Sequence, residues 1–293
     1  MTLCIAHRGY GPELRENTIS AFLSAVSIGA DMVECDVRVT KDGRAVILHD
    51  RTLERLWNVP FALADLTWEQ VRQLTAGAES LPTLDEVLSK VPIPIMLDFA
   101  DPKAAPLIAD ALAEQKAWSR AVVVSGAENI LAFRDLAEDA RVGLTWDDGC
   151  EPSVALLERL RPEFFNPMWS LLLPEFSDTW RAAAMQEDHP LRAVMAEYYG
   201  EVPKTSPYAS PTPMRGKETV ADIHARGIRV SVWTVDEEPA VNAMLAAGVD
   251  AIISNDSAML LRVLGRGRDA KMKMATGLTV ADSNGPRGGD GKR

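Results

Sequence analysis

The sequence predicts an α/β fold in which eight parallel strands alternate with helices, as either a closed barrel or a doubly wound sheet. The first observation is a set of eight short apolar runs, at residues 3–6, 32–37, 93–97, 121–124, 142–145, 164–166, 228–233 and 251–253. The second is the helical spacing of apolar residues between these runs, as in 21–28, 104–117, 154–160 and 241–246. The third is size, because 293 residues with 47% hydrophobic content suffice for one large core.

Two segments depart from the regular alternation of strands and helices, and the C-terminal segment has no apolar pattern. Asp42-Gly43 is a strong hairpin signal inside the run 37–49, so we expect a β-hairpin extension after strand 2. The stretch 171–217 is rich in proline near its end and predicts an insertion between strands 6 and 7. Residues 265–293 are polar and glycine-rich without an apolar period, which predicts a flexible tail behind a single domain of residues 1–264.

Charge and composition restrict the class of partner and the location. A net charge of −11 disfavours nucleic acid and stable association with anionic membranes, so a small molecule is the expected partner. No apolar stretch approaches the roughly 18 residues that span a bilayer. The start of the chain leaves no room for a secretory signal before His7. We expect buried free thiols at Cys4, Cys35 and Cys150, which fits a cytoplasmic protein. The sequence has no signature of a particular oligomeric state.

Three acidic residues follow from the strand pattern as candidate metal ligands. Glu34 and Asp36 lie two apart on a strand, so both side chains leave the same face. Two carboxylates inside a barrel repel each other unless a cation compensates them, and Asp98 at the end of the third strand would complete an oxygen-rich site. Mg²⁺ and Ca²⁺ prefer such ligands. The alternative is a salt-bridge network in which these acids pair with Arg8, Arg38 or Lys103.

Two of the four histidines occur at predicted strand ends. His7 ends the first strand and His49 ends the returning arm of the hairpin, so both are expected at the same mouth. Two imidazoles on opposite sides of a phosphodiester suit general acid and general base catalysis. The alternative for each is a hydrogen-bonded structural role, which is what we expect for His189 and His224.

Three further residues are candidates for substrate binding. Arg8 could hold a phosphate oxygen bidentately, although strand alternation from His7 directs it away from the mouth. Asn17 or Thr18 is placed to be the N-cap of the first helix. Trp233 ends the seventh strand and suits either an apolar wall for the substrate or a core position.

Several motifs together carry a family resemblance. They are His7-Arg8-Gly9, Glu16-Asn17-Thr18, Glu34-Cys35-Asp36, His49-Asp50 and the segments 81–88, 232–235 and 248–254. As a set, spread over most of residues 3–262, they resemble the glycerophosphodiester phosphodiesterases and the wider superfamily with the spider-venom-type phospholipases D. The resemblance implies a single (β/α)8 barrel of the TIM type and a Mg²⁺ or Ca²⁺ ion on Glu34, Asp36 and the third-strand acid. It also implies that His7 and His49 form the acid/base pair, that Arg8 contacts phosphate and that Asn17 lies near the site.

The third strand departs from the pattern of that family. The family has a glutamate followed two residues later by a lysine, whereas this chain has Asp98 and Ala100. A replacement cation is expected from elsewhere, with Lys103, Lys204 and Arg215 as the candidates.

These observations predict a metal-dependent phosphodiesterase that cleaves a small glycerophosphodiester to a phosphomonoester and an alcohol. One alternative uses the same site as a cyclising lyase, in which a substrate hydroxyl attacks phosphorus. Another is a specialised phosphodiesterase for sugar phosphodiesters of the agrocinopine type. The insertion at 171–217 favours this alternative. From a different class, the chain could be a lapsed barrel that only binds phosphodiesters.

Overall fold

The computed structural model describes residues 1–77, 79–185 and 206–267. The strands are β1 (Leu3–His7), β2 (Met32–Val39), β3 (Ala45–Ile47), β4 (Thr52–Leu53), β5 (Val59–Ala62), β6 (Ile95–Phe99), β7 (Ala121–Ser125), β8 (Val142–Trp146), β9 (Cys150–Pro152), β10 (Phe164–Pro167), β11 (Ala209–Pro213), β12 (Arg229–Val232) and β13 (Ala251–Ser254).

The helices cover the outside of the sheet. They are α1 (Ile19–Ile28), α2 (Glu54–Trp57), α3 (Trp68–Leu74), α4 (Leu84–Lys90), α5 (Ala104–Glu114), α6 (Ala127–Leu136), α7 (Val154–Leu160), α8 (Pro174–Met185), α9 (Lys217–His224), α10 (Glu238–Ala247) and α11 (Ser257–Val263). Short 3₁₀ turns occur at Leu63–Asp65, Trp118–Arg120 and Trp169–Leu172.

Eight parallel strands form a closed barrel. Their order around the barrel is β1, β2, β6, β7, β8, β10, β12 and β13, and β1 closes the ring by pairing with both β2 and β13. Each of the eight predicted apolar runs lies on one of these strands. The structure therefore confirms the (β/α)8 barrel and decides against a doubly wound sheet.

The hydrophobic core has an inner and an outer layer because side chains alternate along each strand. Ile5, Met32, Met96 and Phe164 belong to a fully buried cluster inside the barrel. The intervening residues, such as Cys4 and Cys35, pack outward in the larger cluster shared with the helices. All three cysteines are buried and free, as predicted.

The inner face of the barrel becomes acidic towards its carboxyl end. On β2 the side chains of Met32, Glu34 and Asp36 all face the interior of the barrel, because alternate residues share a face. On β6 the same holds for Met96 and Asp98. The apolar cluster is therefore the floor beneath the acidic residues. This is the end of the barrel at which active sites of this fold class lie.

The predicted hairpin after strand 2 is confirmed. β2 and β3 pair antiparallel with Val39 opposite Ala45, and Gly43 turns with a φ of 81° that glycine adopts without a steric penalty. The chain then makes an excursion the sequence did not predict, in which β4 pairs with β5. The excursion has its own apolar cluster of Val46, Leu48, Leu53, Leu63, Leu66, Val71 and Leu81.

The opposite, amino-terminal end of the barrel is held by an ion-pair cluster. Glu163 accepts hydrogen bonds from Arg141 Nε and Nη2 at 2.6 and 2.7 Å, and it also pairs with Arg229. These three residues precede or begin β8, β10 and β12, so one carboxylate ties three adjacent strands together.

The segment predicted as an insertion does separate the sixth and seventh barrel strands. Its described parts include α8 and β11, and β11 pairs antiparallel with β9. Lys204, His189 and the tail from residue 268 onward lie outside the described residues. Within the described part of the chain, no helix is both long and apolar enough to cross a membrane.

Candidate active site

A cavity of about 480 Å³ opens at the carboxyl end of the barrel. Seven of the eight residues predicted for the site line it: His7, Arg8, Glu34, Asp36, His49, Asp98 and Trp233. The eighth, Asn17, is fully buried directly behind it. The predicted residues, which lie up to 226 positions apart in the sequence, are therefore brought together by the closed barrel.

The three acids form one cluster on adjacent strands. Asp36 on β2 is the register partner of Asp98 on β6, and oxygens of Glu34, Asp36 and Asp98 all lie within 4.8 Å of one another. Burial and then the neighbouring Asp36 charge raise the pKa of Asp98 to about 7, and the same causes raise that of Glu34 well above its usual value. A divalent cation would remove this repulsion, and an all-carboxylate set suits a hard cation.

Asn17 supports this cluster from behind. It is fully buried, and its Nδ2 donates a hydrogen bond to Asp36 Oδ2 at 2.8 Å. Its Oδ1 is buried with no hydrogen-bond partner among the described residues. The N-cap of α1 is Thr18, whose side chain accepts from Ala21 N. Of the two predicted roles, Asn17 therefore takes the one at the site, and its unpartnered oxygen is a further sign that the cluster accommodates a cation.

Arg8 points into the cavity, contrary to the direction that strand alternation predicted. The chain leaves β1 at His7, and Arg8 adopts a left-handed φ of 57°, so alternation no longer sets its direction. Its Nε lies 3.1 Å from Asp36 Oδ2 and its Nη1 donates to Glu16 Oε1 at 3.1 Å. The salt-bridge alternative is thus found for Asp36 with Arg8, within the same cluster.

His7 is oriented by two residues that the sequence analysis missed. Its Nδ1 lies 2.7 Å from Asn255 Oδ1, and Asn255 Nδ2 in turn donates to Asp236 Oδ2 at 2.6 Å. Because the amide oxygen can only accept, His7 Nδ1 carries the proton and Nε2, 3.8 Å from Glu34 Oε2, is the acceptor. Burial and the Arg8 charge lower the pKa of His7 to about 4. The signal for Asn255 was its position directly after the last strand.

His49 lies across the cavity on the excursion after β3. Its Nδ1 is 2.9 Å from Asp50 Oδ1, and its backbone carbonyl accepts from Arg38 Nε at 2.6 Å. Arg55 donates to Asp50 from Nε and Nη2 at 2.7 and 3.1 Å, and to Glu16 from Nη1 and Nη2 at 2.9 and 2.6 Å. Burial alone would raise the pKa of Asp50, but the hydrogen bonds from Arg55 and His49 lower it to about 2.

Trp233 contacts both the core and the cavity. Its Nε1 donates to the carbonyl of Asn166 at 2.8 Å, which fixes the ring at the rim. The half-buried ring packs on the core below and lines the cavity above.

Two of the residues proposed from sequence to replace the missing lysine, Lys103 and Arg215, do not line the cavity, and the third, Lys204, lies outside the described residues. Lys103 is exposed at the start of α5, and Arg215 pairs with Asp178 at 3.1 Å. Ala100 does line the cavity, and Arg8 is the one arginine or lysine among its described lining residues.

Comparison with known proteins decides the family. A family model described as the glycerophosphoryl diester phosphodiesterase family matches residues 7–259. The chain belongs to this family. The resemblance inferred from the motifs is confirmed, and so is the enzyme class, a phosphoric diester hydrolase of the glycerophosphodiester phosphodiesterase type.

Two relatives match over at least 90% of their own length. A glycerophosphodiester phosphodiesterase of Caldanaerobacter subterraneus is 28% identical, with 91% of this chain and 99% of the relative covered. A probable glycerophosphodiester phosphodiesterase 2 of Mycobacterium tuberculosis is 31% identical, with 89% and 90% covered. Among solved structures, an Oleispira antarctica phosphodiesterase in complex with the product sn-glycerol-3-phosphate has a TM-score of 0.69 and 19% identity, with 90% and 97% covered.

Proposed function

We propose that this family member is a divalent-metal-dependent glycerophosphodiester phosphodiesterase that hydrolyses small glycerophosphodiesters to glycerol 3-phosphate and an alcohol. The observation that carries the proposal is that His7 and His49 line one cavity together with the carboxylates of Glu34, Asp36 and Asp98. The product complex of the Oleispira antarctica enzyme supports the choice of substrate. The cytoplasmic location stays a prediction that belongs with this function.

The acidic cluster is the proposed metal site. Glu34, Asp36 and Asp98 would hold Mg²⁺ or Ca²⁺, and Asn17 would keep Asp36 in place through its 2.8 Å hydrogen bond. The bound cation would supply charge neutralisation at a nonbridging phosphate oxygen, where negative charge increases in the transition state.

Arg8 and Trp233 are the proposed substrate-binding residues. Arg8 forms an ion pair with Asp36 through Nε and donates from Nη1 to Glu16, so within the described part of the chain its Nη2 is free to donate to a phosphate oxygen. Asp36 and Glu16 therefore fix the direction of the guanidinium. Trp233 presents a ring to the carbon atoms of the glycerol moiety.

The two histidines are proposed to move protons at opposite ends of the reacting phosphate. His7 Nε2, left unprotonated by the hydrogen bond of Nδ1 to Asn255, accepts a proton from the attacking water. His49, with Nδ1 held by Asp50, donates the proton of Nε2 to the leaving alkoxide. The alcohol therefore leaves on the His49 side of the cavity.

The proposal is tested by phosphorus NMR on metal-free enzyme incubated with glycerol and sugar phosphodiesters, with Mg²⁺, with Ca²⁺ or with EDTA. We expect glycerol 3-phosphate as the first product, only when metal is added. A persistent cyclic phosphodiester would instead establish the lyase, and turnover confined to sugar diesters would establish the specialised enzyme. Binding of diesters without turnover in the presence of either metal would establish a catalytically inactive barrel that only binds phosphodiesters.

A further inference from the structure

A second cavity, of about 390 Å³, adjoins the candidate active site. Ala100 lines both cavities, so the two meet at the position where the family pattern has a lysine. The walls of the second cavity are apolar apart from three charged residues: Arg38, Arg51 and Asp101. The side chain of Ala100 is a single methyl group, so this position brings no charge to the boundary between the two cavities.

Arg38 links the two cavities. It follows Glu34 and Asp36 on the same face of β2, and its charge acts on both Asp36 and Asp98. Its Nε donates to the carbonyl of His49 at 2.6 Å. No partner is seen for its Nη atoms in the described part of the chain, so that end of the guanidinium is available to a ligand.

Arg51 contributes a second cation to the same cavity. Its backbone is fixed, because its carbonyl accepts from Leu63 N at 2.9 Å. Its exposed guanidinium makes no hydrogen bond or ion pair with any residue that the structure describes, and it repels Arg38 electrostatically. Asp101 is the acid of this cavity, with one oxygen accepting from Lys103 N at 3.0 Å. The cavity is therefore locally positive in a chain whose net charge is −11.

We propose that this cavity binds the alcohol portion of the diester and selects alcohols that carry a carboxylate or another anionic group. The inference rests on the proposed function, because it is the assignment of His49 to the leaving alkoxide that puts the alcohol on this side. Arg38 connects that histidine to the cavity, and the guanidinium groups of Arg38 and Arg51, against the single carboxylate of Asp101 in the lining, fit an anion at its far end. The apolar walls of Val39 and Leu63 fit the short carbon chain between the two ends.

The test compares two glycerophosphodiesters that differ in one group of the alcohol. In one, glycerol 3-phosphate is esterified to glycerol; in the other, to glycerate, where a carboxylate replaces one hydroxymethyl group. We expect kcat/KM to be about tenfold higher for the glycerate diester at low ionic strength and the preference to shrink with added salt. Arg51→Ala is expected to remove the preference, and Arg51→Glu to reverse it, with turnover of the glycerol diester retained.

Arg44→Ala is the matched control, because Arg44, in the turn between β2 and β3, pairs with Asp85 of α4 at 3.2 Å and lines none of the described cavities. It should keep the preference of the parent. Equal kcat/KM for the two diesters in the parent, or a preference that survives Arg51→Glu, would overturn the subsite and leave the proposed function standing. Absence of turnover for both diesters in the parent would overturn the proposed function and the subsite with it.

Discussion

The Asp50 carboxylate lies 2.9 Å from Nδ1 of His49, the residue directly before it in the chain. Adjacent side chains seldom face each other, and here the contact depends on Arg55, which holds both oxygens of Asp50 from the next turn of the excursion. A carboxylate with a pKa near 2 stays ionised at neutral pH. It therefore keeps the proton of His49 on Nδ1 when Nε2 is in use.

Replacing Asp50 with asparagine tests this relationship. We expect Asp50→Asn to lower kcat about 10- to 100-fold for the glycerol ester of glycerol 3-phosphate, since His49 loses its orienting charge. The loss should be much smaller for the p-nitrophenyl ester, because p-nitrophenolate leaves without a proton. Steady-state kinetics on both esters check this. Equal losses on the two would show that Asp50 has only a structural role.

Asn17 provides a prediction about metal binding that does not depend on turnover. Asn17→Ala removes the hydrogen bond to Asp36 and is expected to weaken Mg²⁺ or Ca²⁺ binding by about 10- to 100-fold. Isothermal titration calorimetry on the metal-free protein measures the change. Asn129→Ala is the control, since Asn129 lines the same cavity but donates to Ser125 and Ala100. Equal affinity in the parent and Asn17→Ala would contradict the role given to Asn17.

Asn255 is expected to act through His7. Asn255→Ala should lower kcat about tenfold with little change in KM, because the ring of His7 is then free to turn and Nδ1 is no longer fixed as the donor. Asn255→Ser or Asn255→Asp, which restore an acceptor, should recover part of the rate. If neither substitution recovers more rate than alanine, the hydrogen bond does not position His7.

The ion-pair cluster at the other end of the barrel predicts a pH-dependent stability. Burial alone would raise the pKa of Glu163, but the hydrogen bonds from Arg141 and the charges of Arg141 and Arg229 lower it. A lowered folded-state pKa contributes stability above the unfolded value of about 4.3 and loses it as pH falls through the folded value. Glu163→Gln should therefore cost about 1–2 kcal/mol of unfolding free energy at pH 7, and less below about pH 4.

Urea denaturation of the parent and Glu163→Gln between pH 3 and pH 7 measures this difference. Activity at pH 7 should be unchanged, because Glu163 lies at the amino-terminal end of the barrel, away from the cavity. A stability difference that stays constant over the whole range would assign the effect to packing instead of charge.

The alternation of strands and helices could be predicted from sequence because its signals are local, whereas the choice of a closed barrel over a doubly wound sheet came from the family resemblance. Alternation on β2 places Glu34 and Asp36 on one face, and Asp42-Gly43 marks its hairpin, so neither inference needs a distant contact. The convergence of Asp98 with these acids followed once the strands were taken as parallel neighbours, because their carboxyl ends meet at one mouth.

The supporting contacts could not be predicted because they join distant parts of the chain. His7 meets Asn255 across 248 positions, and Arg55 meets Glu16 across 39. Strand alternation alone would point Arg8 away from the cavity that it lines, because its left-handed backbone breaks the alternation of β1. The β4–β5 excursion was missed because strands of two and four residues leave little periodic pattern.

The most direct test of the account is the rate of hydrolysis of the glycerol ester of glycerol 3-phosphate at saturating Mg²⁺ by the parent, His7→Ala, His49→Ala and His224→Ala. His224, which pairs with Asp250 at 2.7 Å outside the cavity, is the control histidine. We predict that both cavity variants lose at least about 100-fold in kcat while His224→Ala keeps the parental rate. Parental rates in His7→Ala or His49→Ala would contradict the two-histidine mechanism.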